Sequence, residues 1–590
     1  MSGKGNLKTQ PQEDQPLNLS VCILAHEHRL SLDRCVSSIE GIATQIVIVD
    51  TRTRDGLCQH AASAKTTVIT KRACASLSNL RNSGLEACTG EWILCLDCDE
   101  WLDEDATKLI QDVLSCPKAD GFVLWARHTT HFDCSTESLH RRGCRLFRND
   151  RRIRFDRFTT ESVEQSIDAI GGVILGTNTI AIHNDGHAQW DSAGFSEVSR
   201  SISQLKKKLQ KFPSDPGLYF EIGLNFYEIK NHYQAQVALV QACDLVELSS
   251  PLAPPIYSLL AVVYRELGAP DVGIALGGRL EEAGLATAEL LFAMGWACLG
   301  ADRFREAADY FARADSLAQL QSQGRHGCDP SIAKHRALMG RALSLLEIGD
   351  SIGALSCAKR AAKRAPDLAE PLVLLACCHQ TQGDIRKACT MISKAISIHP
   401  SHETGAALAV QLFVQTGRLS EALDVAKRIL THHPAALRLR LSVAEILAKQ
   451  GKIKEAVEAV GVALQMAGNS PEAFLGAAHI YLACSDYQSA FGAYKRAITL
   501  DPSNPTAYFG AADTLFQIGA FGQAAQMYSH ALERDPLNAE GFFAAGNACL
   551  KYGRLELAVR SWEKAVQIKP DFQEAHHNLR IAKQTLSRAA

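Results

Sequence analysis

The stretch Trp92-Ile93-Leu94-Cys95-Leu96 is followed at once by Asp97, Asp99 and Glu100. An apolar run of this length, bounded by polar residues, reads as a buried strand. Two aspartates at i and i+2 just beyond such a strand can both face a cleft where the chain turns. Hard oxygen ligands in that arrangement suit Mg²⁺ or Mn²⁺ bound to a diphosphate. A second carboxylate, Asp50, follows the run Ile46–Val49. An Asp-x-Asp pair alone is common and is also what a solvated turn looks like, so its meaning rests on the elements around it.

Those elements alternate. Leu19–Ala25 reads as a strand, with a helix near Leu30–Ile39; Gln45–Val49 as a strand, then a polar loop. Thr67–Ile69 follows, then a helix near Leu77–Ala87, then Trp92–Leu96. Strand–helix alternation predicts a mostly parallel sheet with helices on both faces. Ligands in such sheets sit beyond the carboxyl ends of the strands, at the point where the strand order reverses. Asp50 and Asp97 both fall at such ends.

The order LSVCIL, IVIVD and LRNSGLEACTGEWILCLDCDEWLDED resembles a family 2 glycosyltransferase with the GT-A fold. The match is close over LRNSGLEACTGEWILCLDCDEWL and extends more weakly over about 19–210. The resemblance implies an α/β, Rossmann-like GT-A domain that uses a nucleotide-diphospho-sugar donor and a divalent metal. It implies that Asp50 contacts the nucleotide base, with Asp55 in the loop that follows. Arg81 and Asn82 match the family's helix-start pair near the nucleotide-sugar. Asp97 would face the ribose or the metal, and Asp99 would ligate the metal. RLFRNDRRIRFDRFTTESV resembles the stretch before the family's His-Glu pair, with Glu161 on the glutamate and Thr160 on the histidine. TIAIHNDGH resembles the Ile-His-His stretch, making His183 a further metal or diphosphate ligand. Glu161 and Asp185 are the candidates for the base that takes the acceptor proton.

The chain departs from that pattern in several places. The first strand ends AHEHR rather than in Asn-Glu-Glu, which leaves Glu27 without a clear counterpart. The loop after Asp50 reads Thr51-Arg52-Thr53-Arg54-Asp55 and lacks the family's glycine. A glycine lets a loop hug a ligand, whereas two arginines add bidentate phosphate donors. Thr160 stands for a histidine, and Asn184-Asp185 for His-Tyr. These changes point to an altered donor or to a decayed site, so a catalytically inactive domain in a repeat scaffold is the alternative reading.

The remainder of the chain is periodic. Gly349, Gly383, Gly417, Gly451, Gly519 and Gly553 lie on a 34-residue grid, with Ser485 in the gap. Five residues beyond each stands an alanine, from Ala354 to Ala558 without exception. Proline closes most units, from Pro366 to Pro570. Glycine ends a first helix in the left-handed conformation, small residues let two antiparallel helices approach, and proline ends the second helix. The pattern resembles the tetratricopeptide repeat. Seven regular units span 333–570. A linker helix and three irregular units occupy 206–332: one carries Phe220, Gly223 and Tyr227, another Tyr257, Ala261 and Tyr264, the third starts at Gly300. Ser316–Pro330 reads as an insertion, 571–590 as a capping helix, 17–205 as the glycosyltransferase domain and 1–16 as a disordered N-terminus. Stacked repeats of this type expose a concave face that commonly holds a polypeptide.

Composition narrows the partners. With 62 basic and 64 acidic residues the formal charge is −2, which does not support a general attraction to nucleic acid or anionic membrane. No apolar run approaches the roughly 18 residues of a membrane-spanning helix. Nineteen scattered cysteines, several inside apolar segments, fit buried thiols in a reducing, cytoplasmic compartment. His128, His131, Cys134, His140 and Cys144 match none of the paired zinc spacings. Cys95 and Cys98 read as packing residues rather than a redox pair, and Lys206-Lys207-Lys208 as the solvated face of a helix. The sequence therefore predicts an inverting glycosyltransferase whose repeats present a protein or peptide acceptor. A lipid-linked or cell-envelope glycan is the rival acceptor.

Overall fold

The structure, a computed structural model, describes residues 18–25, 29–51, 64–71, 77–114, 119–128, 140–155, 162–184, 192–321, 329–400, 402–434, 436–466 and 468–589. The chain divides into two compact units, one ending at Asp367 and the other beginning at Leu368.

The first unit opens on a mixed sheet. Its strands are β1 (Leu19–Ala25), β2 (Gln45–Asp50), β3 (Thr66–Thr70), β4 (Trp92–Asp97), β5 (Glu100–Trp101), β6 (Gly121–His128), β7 (His140–Arg148) and β8 (Ile174–Asn184). They lie in the order β3-β2-β1-β4-β7-β6-β8-β5. The half formed by β3, β2, β1 and β4 is parallel throughout, as the alternation predicts. The chain steps outward from β1 to β2 and β3, then returns to place β4 on the other side of β1. The strand order therefore reverses at β1, and Ala25 pairs in register with Asp50 while Leu24 pairs with Asp97.

The other half departs from the parallel expectation. β7 runs antiparallel to both β4 and β6, and β5 antiparallel to β8. The eleven residues between β6 and β7 fall short of the dozen or more that a parallel crossover needs, so the two strands pair as neighbours in opposite directions. No helical periodicity in that stretch gave a sign of a crossover.

Alternate side chains of the parallel strands feed two cores. On one face Leu19, Val21, Ile23, Ile46, Ile48, Leu94 and Leu96 pack with Leu32, Cys35, Val36 and Ile39 of helix α1 (Arg29–Ile39) and Ala106 and Ile110 of helix α3 (Glu104–Leu114). On the other, Cys22, Leu24, Val47, Val49, Ile93 and Cys95 pack with Leu80 and Leu85 of helix α2 (Leu77–Leu85) and with Ile167 of helix α4 (Glu164–Ala169). Burial on both faces explains why these strands read as continuous apolar runs. α2 lies unusually close to the sheet: a Cβ on Gly84 would stand 2.4 Å from Cys22 Sγ and 2.7 Å from Val49 Cγ2.

Helix α5 (Ser192–Leu209) spans the expected domain boundary at 205/206 and leads into helix hairpins. Pro216–Glu228 pairs with His232–Leu245, Ala253–Glu266 with Pro270–Glu282, and Ala288–Gly300 with Phe304–Gln321. These hairpins cover the stretch where three irregular units are expected. The last helix runs into the expected insertion, and the π-helical turn Ile332–Arg336 straddles the boundary at 332/333. In the second unit the hairpins repeat from Ala369 to Ile568, and Gln573–Ala589 forms the closing helix. The grid glycines adopt positive φ, 74° to 87°, and Ser485 takes their place at 58°. Every grid alanine from Ala354 to Ala558 is fully buried. No helix among the described residues is long and apolar enough to cross a membrane.

Candidate functional site

The carboxyl ends of β2 and β4 flank the end of β1, and the aspartates they carry stand there half-buried. The turn after β4 is closed by its own side chain: Glu100, 2% exposed, accepts the Asp97 backbone N–H at 2.8 Å. The Cys98 N–H donates to Leu24 O, which fastens the turn to β1. The turn thus buries Cys98 and leaves the two aspartates beside it, Asp97 and Asp99, half-exposed.

Two guanidinium groups meet this turn. Arg81 of α2, 7% exposed, donates from Nη2 to Asp97 Oδ1 at 2.7 Å. Arg145 of β7 lies 3.9 Å from Asp97 Oδ2 and donates to Glu100 Oε1 at 3.3 Å. Burial pushes the Glu100 carboxyl up to about 7, with the charge of Arg145 opposing it and that of Asp97 adding to it. Desolvation of this acid outweighs its cation partner.

Asn82, next to Arg81, is turned to a different task. Its amide nitrogen donates to Phe155 O at 3.1 Å and its oxygen accepts the Phe155 N–H at 2.8 Å. The Arg81 guanidinium carbon lies 5.5 Å from the centre of the Phe155 ring. The Arg-Asn pair therefore ties the aspartate turn and the segment 153–155 to one helix. Glu161 follows that segment but lies outside the described residues, as do Asp55 and Asp185.

His183 of β8 is brought to the turn by strand pairing, opposite Trp101 of β5. Its ring stacks on Trp101 at 4.6 Å, and its Nε2 bonds Asp103 Oδ2 at 2.8 Å. Asp103 in turn accepts the Ala106 N–H through Oδ1, capping α3. A histidine that donates one nitrogen to a carboxylate is fixed in the tautomer whose other nitrogen can ligate a metal. Among the described residues no three His, Cys, Asp or Glu side chains converge as a metal-holding set, so Asp97, Asp99 and His183 are not gathered into one. The donor chemistry still fits a divalent ion: Asp97 and Asp99 offer hard oxygens from one turn, and His183 has Nδ1 to offer.

Arg145, Trp101 and Asp103 carry much of this geometry and were not singled out by spacing. Arg145 was visible only as one of many arginines in 141–157, because nothing local marks which of them a strand will aim at a carboxylate. The cysteine readings gain a geometric reason: Cys95 belongs to one face of the sheet and Cys98 to the other, so the pair cannot bridge without moving the strand. Cys144 is buried in the same core as Cys95, while His131 and Cys134 of the loose cluster lie outside the described residues. Lys206, Lys207 and Lys208 are exposed on the last turn of α5.

Residues 20–164 match the family described as glycosyl transferase family 2. Residues 408–471, 478–519 and 509–573 match tetratricopeptide-repeat families. A TPR repeat-containing protein of Synechococcus elongatus is 30% identical over 152 residues, a stretch that makes up 26% of this chain and 37% of that protein. Among solved structures, a tetratricopeptide repeat protein from Parabacteroides merdae is 18% identical with a TM-score of 0.35, over 42% of this chain and 99% of its own. Yeast Tom70 is 14% identical with a TM-score of 0.35, over 67% of this chain and 93% of its own.

Proposed function

We propose that this chain, a family 2 glycosyltransferase domain joined to C-terminal tetratricopeptide repeats, transfers a sugar with inversion from a nucleotide-diphospho-sugar to a protein or peptide that the repeats present. The observation that carries the reading is the placement of Asp50 and the Asp97–Asp99 turn at the ends of β2 and β4, on either side of β1. That is where an open α/β sheet leaves room for a nucleotide.

In this reading Asp50 binds the nucleotide base and Asp97 the ribose, with Asp55 in the adjoining loop. Arg81 holds Asp97 in place, and Asn82 fixes Phe155 and so the approach of the segment leading to Glu161. A Mg²⁺ or Mn²⁺ ion held by Asp97 and Asp99, with His183 drawn in to complete the set that the three do not form by themselves, would supply positive charge to the departing diphosphate, worth several kcal/mol of barrier. Arg145 adds a fixed positive group beside the same turn. The acceptor nucleophile forms its bond to the anomeric carbon as the bond to the diphosphate oxygen breaks. Its proton passes to a carboxylate, Glu161 or Asp185, and the nucleoside diphosphate leaves. The buried, unbridged thiols Cys22 and Cys95 suit the same enzyme in a reducing, cytoplasmic setting.

Calorimetric titration of the purified chain with UDP, GDP and their sugar conjugates, with and without Mn²⁺, tests the reading. Metal-dependent binding of one nucleotide, abolished by Asp99→Ala, is the expected result. A folded protein that binds none of them would refute the enzyme and leave the repeat scaffold.

A further inference from the structure

The second unit holds a cleft of about 490 Å³ lined by His479, Tyr494, Thr506, Phe509, Gly510 and Asp513, among others. It opens between the first helices of two successive hairpins, Pro471–Ala483 and Pro505–Ile518. Its back wall is built by a small residue. A Cβ on Gly510 would stand 2.4 Å from Cε1 and Cζ of Tyr494, so glycine is what lets the tyrosine ring lie against the helix backbone. His479 flanks that ring at 5.8 Å, and Phe509 is backed by Tyr528 at 6.4 Å. The cleft is aromatic on its sides.

Its charge is a single carboxylate. Asp513 accepts a hydrogen bond from the hydroxyl of Tyr528, a neutral partner. Among the described residues no lysine, arginine or histidine forms an ion pair with it. The 34-residue grid makes the contrast clear. Glu445 occupies the same phase two units earlier and is neutralised by Lys449, one turn further on, at 2.8 Å. Asp513 has Gln517 at that place. Asn547, one unit later, is bonded to Asn578 at 3.2 Å. Burial raises the Asp513 carboxyl above its ordinary range, with the Tyr528 bond opposing the rise. An accessible carboxylate, held by the Tyr528 hydroxyl and lining the same cleft as the Phe509 ring, gains most from a cation that arrives with an apolar body.

We propose that this cleft seats a lysine or arginine side chain of the polypeptide that the repeats present, with its charge on Asp513 and its stem or guanidinium plane against the half-buried ring of Phe509, which the buried Tyr494 backs. The proposal rests on the reading of the repeats as the acceptor-presenting part of the enzyme and gives that acceptor a chemistry. A repeat groove supplies length, and this cleft supplies register: a basic residue locked here fixes which part of the polypeptide lies along the neighbouring hairpins.

The test uses the full chain and two fluorescein-labelled dodecapeptides of alternating Gly and Ser, one with two central arginines and one with norleucine in their place. Fluorescence anisotropy at low salt should show the arginine peptide binding about tenfold tighter, the value of roughly one partly exposed charged contact. Asp513→Asn should remove that preference, and Asp513→Lys should transfer it to a peptide with two central glutamates. Phe509→Leu should reduce the preference about threefold by thinning the aromatic wall, which serves as an independent variant if Asp513→Asn loses helical content. Equal binding of the two peptides, no binding of either, or a preference that survives Asp513→Asn would overturn the proposal. Nucleotide titration of the same preparations separates the two readings: a chain that binds nucleotide but not arginine refutes the cleft alone, and the reverse refutes the transferase alone.

Discussion

Replacing Arg81 by methionine keeps most of the side chain's bulk and removes its charge. Asp97 is then left with Arg145 at 3.9 Å and with the buried carboxyl of Glu100 close by. Two unit charges at the observed 2.7 Å attract by roughly 6 kcal/mol at an effective dielectric near 20. Most of that is cancelled, because the Arg81 side chain is only 8% exposed and had to be desolvated, and because the Asp97 side chain is 33% exposed and screened. What remains is the value of a charged hydrogen bond, about 2 kcal/mol. A chain of several units does not unfold in one step, so the effect is best read locally. Hydrogen exchange of peptides covering 77–85 and 92–101 should lose about 30-fold in protection in Arg81→Met, the equivalent of 2 kcal/mol. Asp97→Asn alone should cost less, because an amide can still accept from Arg81. The double variant should recover much of the loss, since no uncompensated carboxylate is left beside Glu100. Unchanged protection in Arg81→Met, or strictly additive effects of the two changes, would refute the claim that Arg81 holds the turn through Asp97.

Other consequences follow from the same geometry. Gly84→Ala should destabilise the N-terminal sheet by about 1–3 kcal/mol, measured by the same exchange experiment, because its methyl meets Cys22 and Val49 in a packed core. Asn82→Ala breaks both bonds to the Phe155 backbone and should cost about 1–3 kcal/mol, with exchange rising in peptides through 153–155 while α2 keeps its protection. His402 caps the helix Glu403–Gln415 by accepting the Gly405 N–H at 3.0 Å through Nδ1, and burial holds its pKa below the usual histidine value, with Glu370 opposing and His399 adding to the shift. The folded-state value is the depressed one, so this stabilisation is complete above the unfolded histidine value and is lost as pH falls through the folded one. Protection in 403–415, taken relative to the intrinsic amide exchange rate at each pH, should fall on acidification below about 6.5, and His402→Asn, a cap that does not titrate, should flatten that dependence.

Legibility differed between the two halves of the molecule for physical reasons. The repeats were legible almost residue by residue. Each hairpin is held by contacts within 34 residues, so a turn at Gly383 or a crossing at Ala388 is dictated by neighbours in sequence, and Ser485 could replace a glycine without loss of the turn. The parallel strands were legible for a similar reason: burial on both faces leaves unbroken apolar runs, and their carboxylate ends mark where ligands gather.

Other features were not written locally. The Asp97 and Asp99 carboxylates announced themselves, but that Asp97 would be claimed by Arg81 from a helix and approached by Arg145 from an antiparallel strand depends on which strands become neighbours. The antiparallel insertion of β7 beside β4 has no periodic signature, and it is what delivers Arg145. His183 was found by resemblance, yet its bond to Asp103 and its stacking on Trp101 come from the two-residue strand β5 pairing with β8. Asp513 looked like any surface carboxylate until the fold set it opposite Tyr528, with no cation paired to it among the described residues. The sequence by itself determined the elements, their repeats and the residue types at strand ends, because those depend on local packing and periodicity. Only the tertiary structure decided which charges meet, because that depends on pairings between segments whose separation along the chain carries no local record.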